Sequence, residues 1–108
     1  MINKDVSRFI QQKFIKSFID ILVLSELAKS PLSGYDIILL LYKKFKFVVS
    51  PGTVYSLLYS LEREGLIKGK VIRGRKRVYH LTYKGEDFLK EISLSRDNIK
   101  LILSKLFE

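Results

Sequence analysis

The sequence predicts a mainly α domain carrying one small β-hairpin, and three observations lead there. Apolar residues recur at spacings of three and four through most of the chain, the period of a helix with one buried face. After Gly65 that period gives way to two short runs rich in Val, Ile and Tyr, separated by Gly74. Helix start and stop signals then divide the α part into separate segments.

Composition narrows the class. A chain of 108 residues with 47% hydrophobic content suits a single domain spanning 1–108 with a modest core. The absence of cysteine excludes a disulfide framework and a thiolate metal site, and a single histidine excludes a histidine-rich metal centre. No stretch reaches the roughly 20 apolar residues of a membrane span. The N-terminal segment interleaves Asp5, Asp20 and Glu26 with lysines, which makes a poor secretory signal. A cytoplasmic protein without membrane attachment is expected, with association at a membrane surface as the alternative.

The first helix is expected over 5–29, with Phe9, Ile10, Phe14, Phe18, Ile21, Leu22 and Leu24 as its apolar face. Pro31 ends it. A domain this small has little interior for a face so broad, so part of it, including Phe14 and Phe18, is expected to pack against a second chain. The second helix is expected over 33–46. Ser33 and Asp36 have capping-box spacing, Tyr35, Ile38, Leu39 and Tyr42 supply its apolar face, and Lys43, Lys44 and Lys46 gather at its C-terminal end. Phe45, Phe47, Val48 and Val49 then form a connection expected to fold inward.

The third helix, over 51–64, carries the clearest signals. Ser50 can cap it, and Pro51 falls at the first helical position, where its missing N–H costs nothing. Val54, Leu57, Leu58 and Leu61 mark the buried back. Gly65 suits a left-handed residue after the helix, and Leu66 can close over the last turn. The front is polar or aromatic: Thr53, Tyr55, Ser56, Tyr59 and Ser60. A hairpin is expected over 66–82, followed by a helix over 84–106 capped by Thr82. In that helix Phe88, Ile92, Ile99, Ile102 and Leu106 alternate spacings of three and four when Ser95 fills the missing position. The seam is of coiled-coil type and favours dimerisation, although a helix inside the domain would show it too.

The formal charge of +9 is unevenly placed. Lys68, Lys70, Arg73, Arg75, Lys76 and Arg77 form a run with no acid among them, at or near the hairpin. Such a concentration beside a capped helix points to a polyanion. A short capped second helix makes a helix-turn-helix candidate whose 51–64 helix enters the major groove. Thr53, Tyr55, Ser56 and Tyr59 would probe bases or phosphates, and Arg73, Arg75, Lys76 and Arg77 would meet the backbone beside the groove. Lys43, Lys44 and Lys46 read as phosphate contacts or a solvated helix end. His80 reads as a surface or partly packed residue. No glycine-rich phosphate loop, paired carboxylates or metal cluster points to an enzyme, and no catalytic residue or cofactor is assigned.

Four segments follow one another in order: Pro31-Leu32-Ser33-Gly34-Tyr35-Asp36-Ile37, Ser50-Pro51-Gly52-Thr53-Val54-Tyr55, Leu61-Glu62-Arg63-Glu64-Gly65-Leu66-Ile67, and Arg75-Lys76-Arg77-Val78-Tyr79-His80-Leu81-Thr82 with Gly85. Taken together, they resemble the PadR family of winged-helix transcriptional regulators. The resemblance implies a winged helix-turn-helix with additional N-terminal and C-terminal dimerisation helices. It also implies a homodimeric repressor on a pseudo-palindromic double-stranded DNA operator. The helix beginning Ser50-Pro51-Gly52 would be the recognition helix, and Phe14, Phe18, Phe88, Ile92, Ile99, Ile102 and Leu106 would face the dimer partner. Ser56 and Ser60 depart from the Pro and Arg often found there in the family. The short, basic wing and single short C-terminal helix fit a compact form. A small-molecule effector stays open, because no residue identifies a pocket. Two other readings stand beside this one: a winged-helix module for protein assembly, and an RNA-binding module that stacks bases on Tyr55 and Tyr59.

Overall fold

The computed structural model describes residues 4–108. Five helices and three strands follow in the order α1 (Lys4–Lys29), β1 (Leu32–Ser33), α2 (Gly34–Phe45), α3 (Pro51–Arg63), β2 (Ile67–Ile72), β3 (Lys76–Leu81), α4 (Tyr83–Leu94) and α5 (Arg96–Lys105). This is the expected mainly α winged helix-turn-helix with flanking helices.

α1 bends at Phe18, whose φ of −114° and ψ of 21° leave the helical region. Its core face is only partly the one expected, with Leu24 fully buried and Ile21 and Leu22 half-buried. Ile15, Val23, Leu24 and Leu27 are buried, whereas Phe9, Phe14 and Phe18 are 64%, 42% and 38% exposed. Only the C-terminal half of α1 joins the central core cluster. The phenylalanines of the N-terminal half therefore remain uncovered within one chain.

Ser33 caps α2 through a complete capping box. The Asp36 amide donates to Ser33 Oγ at 3.1 Å, and the Ser33 amide donates back to Asp36 Oδ2 at 2.9 Å. The expected face of α2 is corrected as well: Ile37 and Leu41 are buried, while Tyr35 and Tyr42 are more than half exposed. The unbroken apolar run from Ile37 to Tyr42 leaves helical phase undetermined, and packing against α3 chooses it. In the connection to α3, Val49 is buried and Phe47 partly so, but Val48 points outward at 79% exposure.

α3 follows its signals closely. The Thr53 amide donates to Ser50 Oγ at 3.2 Å, and Val54, Leu58 and Leu61 are buried. At its end Gly65 takes a φ of 79°, with its amide on the Glu62 carbonyl and the Leu66 amide on the Leu61 carbonyl. These two bonds form a Schellman motif. The chain turns directly into β2.

β2 and β3 pair antiparallel, from Ile67 opposite Leu81 to Ile72 opposite Lys76. The two-residue β1 adds to the other side of β3, giving the sheet order β1-β3-β2. Such a short strand carries no periodicity and so has no local signal among its residues. Arg73 and Gly74 both adopt positive φ, 49° and 78°, in the turn between β2 and β3. Thr82 then caps α4 by accepting from the Gly85 amide. The single helix expected over 84–106 is instead two. Ser95 ends α4 with its hydroxyl donating to the Glu91 carbonyl at 3.0 Å, a local bond that competes with helix continuation. α5 has no buried residue.

Candidate nucleic-acid interface

The core holds α3 by its back and leaves its front open. Thr53, Tyr55, Ser56 and Tyr59 are exposed, as are the N-terminal Ser50 and Gly52. A Cβ on Gly52 would meet no heavy atom within 4 Å, so nothing inside the fold crowds that position. Tyr55 is more constrained. Its ring lies across Gly34, where a Cβ would come 2.5 Å from the ring, so a larger residue there would push the ring aside. Tyr59 extends into solvent with the Arg63 guanidinium 5.6 Å from its ring centroid.

Beside Tyr55 the first turn of α2, the front of α3 and strand β3 enclose a cleft of about 550 Å³. Tyr35, Tyr55, Arg75, Lys76 and Arg77 line it. The structure thus brings the α3 front and the basic hairpin to one concave, cationic and aromatic surface. The spacing of Tyr35 predicts a core position, but its 63% exposure places it on this surface instead.

The cations divide into two groups. Lys44 donates to Glu26 at 2.6 Å, Arg77 to Glu62 at 2.9 Å, and Lys76 lies 3.8 Å from Asp36. Lys46, the left-handed residue closing α2, sits 5.2 Å from the Tyr42 ring centroid. Among the described residues Lys43, Arg73 and Arg75 have no ion-pair partner. The acids that take up cations all have lowered pKa values. Glu62 is lowered first by the Gly69 amide and then by Arg77, and Asp36 first by the Ser33 amide. At Glu26 partial burial opposes ionisation, but hydrogen bonds from Lys44 and Lys29 outweigh it.

A second surface is apolar. Phe14 and Phe18 stack at 6.1 Å on α1 and line a groove of about 420 Å³ with Ile15, Leu22 and Phe45. α4 packs against α1 and carries Phe88, 41% exposed. Ile92 and Ile99 are partly buried, whereas Ile102 and Leu106 are more than half exposed. His80 is partly buried on β3. No group of three metal-ligating side chains occurs among the described residues. No helix among them is long and apolar enough to cross a membrane.

Residues 23–91 match the model of the transcriptional regulator PadR-like family. The chain belongs to that family. A PadR family transcription regulator from Clostridium difficile is 31% identical, with a TM-score of 0.72 over 84% of this chain and 99% of that one. A transcriptional regulator from Clostridium thermocellum is 25% identical with a TM-score of 0.74, and covers both chains completely. Bacillus subtilis PadR, solved in complex with operator DNA, is 29% identical with a TM-score of 0.61 over 68% of this chain and 45% of that one. A comparison with curated proteins finds no match. The matched PadR-like segment runs from the C-terminal part of α1 through the recognition-helix candidate and the wing into α4. The family is one of regulators and not of enzymes.

Proposed function

We propose that this PadR-like chain is a cytoplasmic homodimer that binds a pseudo-palindromic double-stranded DNA operator in a sequence-specific manner and represses transcription. The observation that carries this reading is the shared surface of α3 and the wing, where Tyr35 and Tyr55 lie beside Arg75 and Lys76 around one cleft. In this reading α3 enters the major groove, with Ser50, Gly52, Thr53, Tyr55, Ser56 and Tyr59 on its DNA side. Lys43, Lys46, Arg73, Arg75 and Lys76 meet phosphates, and the tyrosine hydroxyls and helix N-terminus fix register. Thr53 and Ser56 discriminate bases weakly on their own, so affinity comes mainly from the cations. The solved operator complex of Bacillus subtilis PadR supports the assignment by similarity.

Selection of bound duplexes from a random pool tests it, with an Arg73→Ala, Arg75→Ala double variant as control. Pseudo-palindromic duplexes should be recovered. Binding should weaken steeply with salt, and the variant should lose about two from the slope of log K against log salt. Absence of duplex binding at low salt, or equal binding by the variant, would overturn the proposal. Stronger competition by single-stranded RNA than by duplex would favour an RNA-binding module, for which the exposed Tyr59 provides a stacking ring.

A further inference from the structure

One carboxylate joins three elements on the flank of the wing. Glu62, in the last turn of α3, accepts from the Gly69 amide of β2 at 2.8 Å. It also accepts from the Arg77 guanidinium of β3, at 2.9 Å and 3.1 Å to its two oxygens. Two further neighbours flank the guanidinium, although the Arg77 side chain stays 45% exposed. A Cβ on Gly69 would lie 2.5 Å from Arg77 Nε and 2.7 Å from its Cζ, so the group rests directly on the glycine backbone. The Tyr79 ring lies against it, 5.5 Å from Cζ to centroid. Arg77 therefore belongs to the acid-free run only in sequence. In space a carboxylate, a glycine and an aromatic ring hold it in place.

That arrangement bears on how the wing is aimed. Pairing between β2 and β3 fixes the two strands against each other, and the β1–β3 pairing with buried Ile67 and Tyr79 holds the hairpin base on the core, but the exposed outer part, residues 70–77, lies beyond those contacts. The chain passes from α3 to β2 through only Glu64, Gly65 and Leu66, and bending of the outer hairpin relative to α3 would swing its tip. Glu62 spans this joint. We propose that Glu62, acting through Arg77 and Gly69, is the positioning residue that sets the wing against the recognition helix, and that Arg77 is an internal strut while Arg73 and Arg75 make the wing's phosphate contacts. This rests on the DNA-binding reading above. Phosphate contacts orient a protein on the duplex, so a wing that keeps its charge but loses its angle keeps affinity and loses discrimination.

The test uses the full chain, a selected duplex and an unrelated duplex of the same length, each titrated over a salt series. Arg75→Ala should lower the salt slope by about one and weaken both duplexes alike. Arg77→Ala should leave the slope unchanged while the ratio of selected to unrelated affinity falls roughly tenfold, the scale of a charged hydrogen bond. Glu62→Gln should lower the same ratio without lowering the slope, and should speed exchange of the Gly69 amide while α1 core amides keep theirs. Gly69→Ala retains both charges and displaces the guanidinium. It should reproduce the loss of ratio even if Glu62→Gln proves too unstable to assay. A drop of about one in the slope for Arg77→Ala would overturn the inference, as would an unchanged ratio in Gly69→Ala. Those results, obtained with a wild-type chain that binds duplex DNA, leave the regulator reading intact. Absence of wild-type binding overturns both.

Discussion

At the scale of single residues, two glycines in helical first turns have opposite reasons to be there. Gly85 is buried where α4 begins against the connection between α3 and β2, and a Cβ on it would collide with the Leu66 carbonyl oxygen. The obstacle is backbone, which cannot rotate away. Gly85→Ala is therefore expected to destabilise the fold by about 1–3 kcal/mol or more, the cost of overpacking. Gly52 faces open space, so Gly52→Ala is expected to raise stability by up to about 1 kcal/mol through better helix propensity. Urea denaturation of the pair checks both signs. Equal effects would mean that the close approach at Gly85 is not maintained in solution.

The elements were legible in the sequence wherever a local signal decided them. α3 combined a cap, a proline, a single stripe and a glycine stop, and each appears in the structure as a bond or a φ value. α2 was legible in extent but not in phase, because an apolar run longer than one turn fits several faces. β1 is too short to carry a pattern, and Ser95 reads equally well as a seam position or a break. The site was partly legible for the same reason. The front of α3 and the basic hairpin stand out locally, whereas the Glu62–Arg77 pair joins residues fifteen apart and only folding brings them together.

The same long-range acids predict a pH response. Asp36 caps α2 and Glu62 clamps the wing to α3, while Glu26 ties α1 to the end of α2 through Lys44. Each has a folded pKa below its ordinary carboxylate value. A group of this kind stabilises the fold above its unfolded pKa, and that contribution disappears as pH falls through the folded value. Stability measured by urea should therefore be flat near neutrality and decline below about pH 4.5. A Glu26→Gln, Asp36→Asn, Glu62→Gln variant should be less stable at pH 7 and show a shallower acid limb. An acid limb of unchanged steepness would remove these three carboxylates as its cause. Asp36 and Glu62 keep 36% and 30% of their side-chain surface in solvent, so screening keeps their contributions small, whereas Glu26 at 13% is the least screened of the three.

For the whole molecule, surface area and shape argue for a partner. A folded monomer of 12.6 kDa exposes about 6,200 Å² by the usual scaling with mass. This chain exposes 8352 Å². Its radius of gyration is 15.5 Å, against about 13 Å for a compact domain of this length. The excess of about 2,000 Å² exceeds the roughly 800 Å² that one partner buries in a standard interface. It comes with uncovered apolar side chains on α1, α4 and α5 and just past the end of α5, among them Phe14, Phe18, Phe88, Ile102 and Leu106. A second copy supplies the same surface, so a two-fold dimer would cover both sets at once. Substituting Ile99 and Ile102 with Gln is therefore expected to shift the solution mass from dimer to monomer. Neither residue belongs to the central core cluster, so the core of each chain should remain folded. DNA affinity should fall more than the charge balance explains, because two linked half-site contacts become independent ones. Light scattering and binding to a two-half-site duplex check the two consequences together. A variant that stays dimeric would move the interface to the α1 phenylalanines. A monomer with undiminished affinity would remove dimerisation from the mechanism.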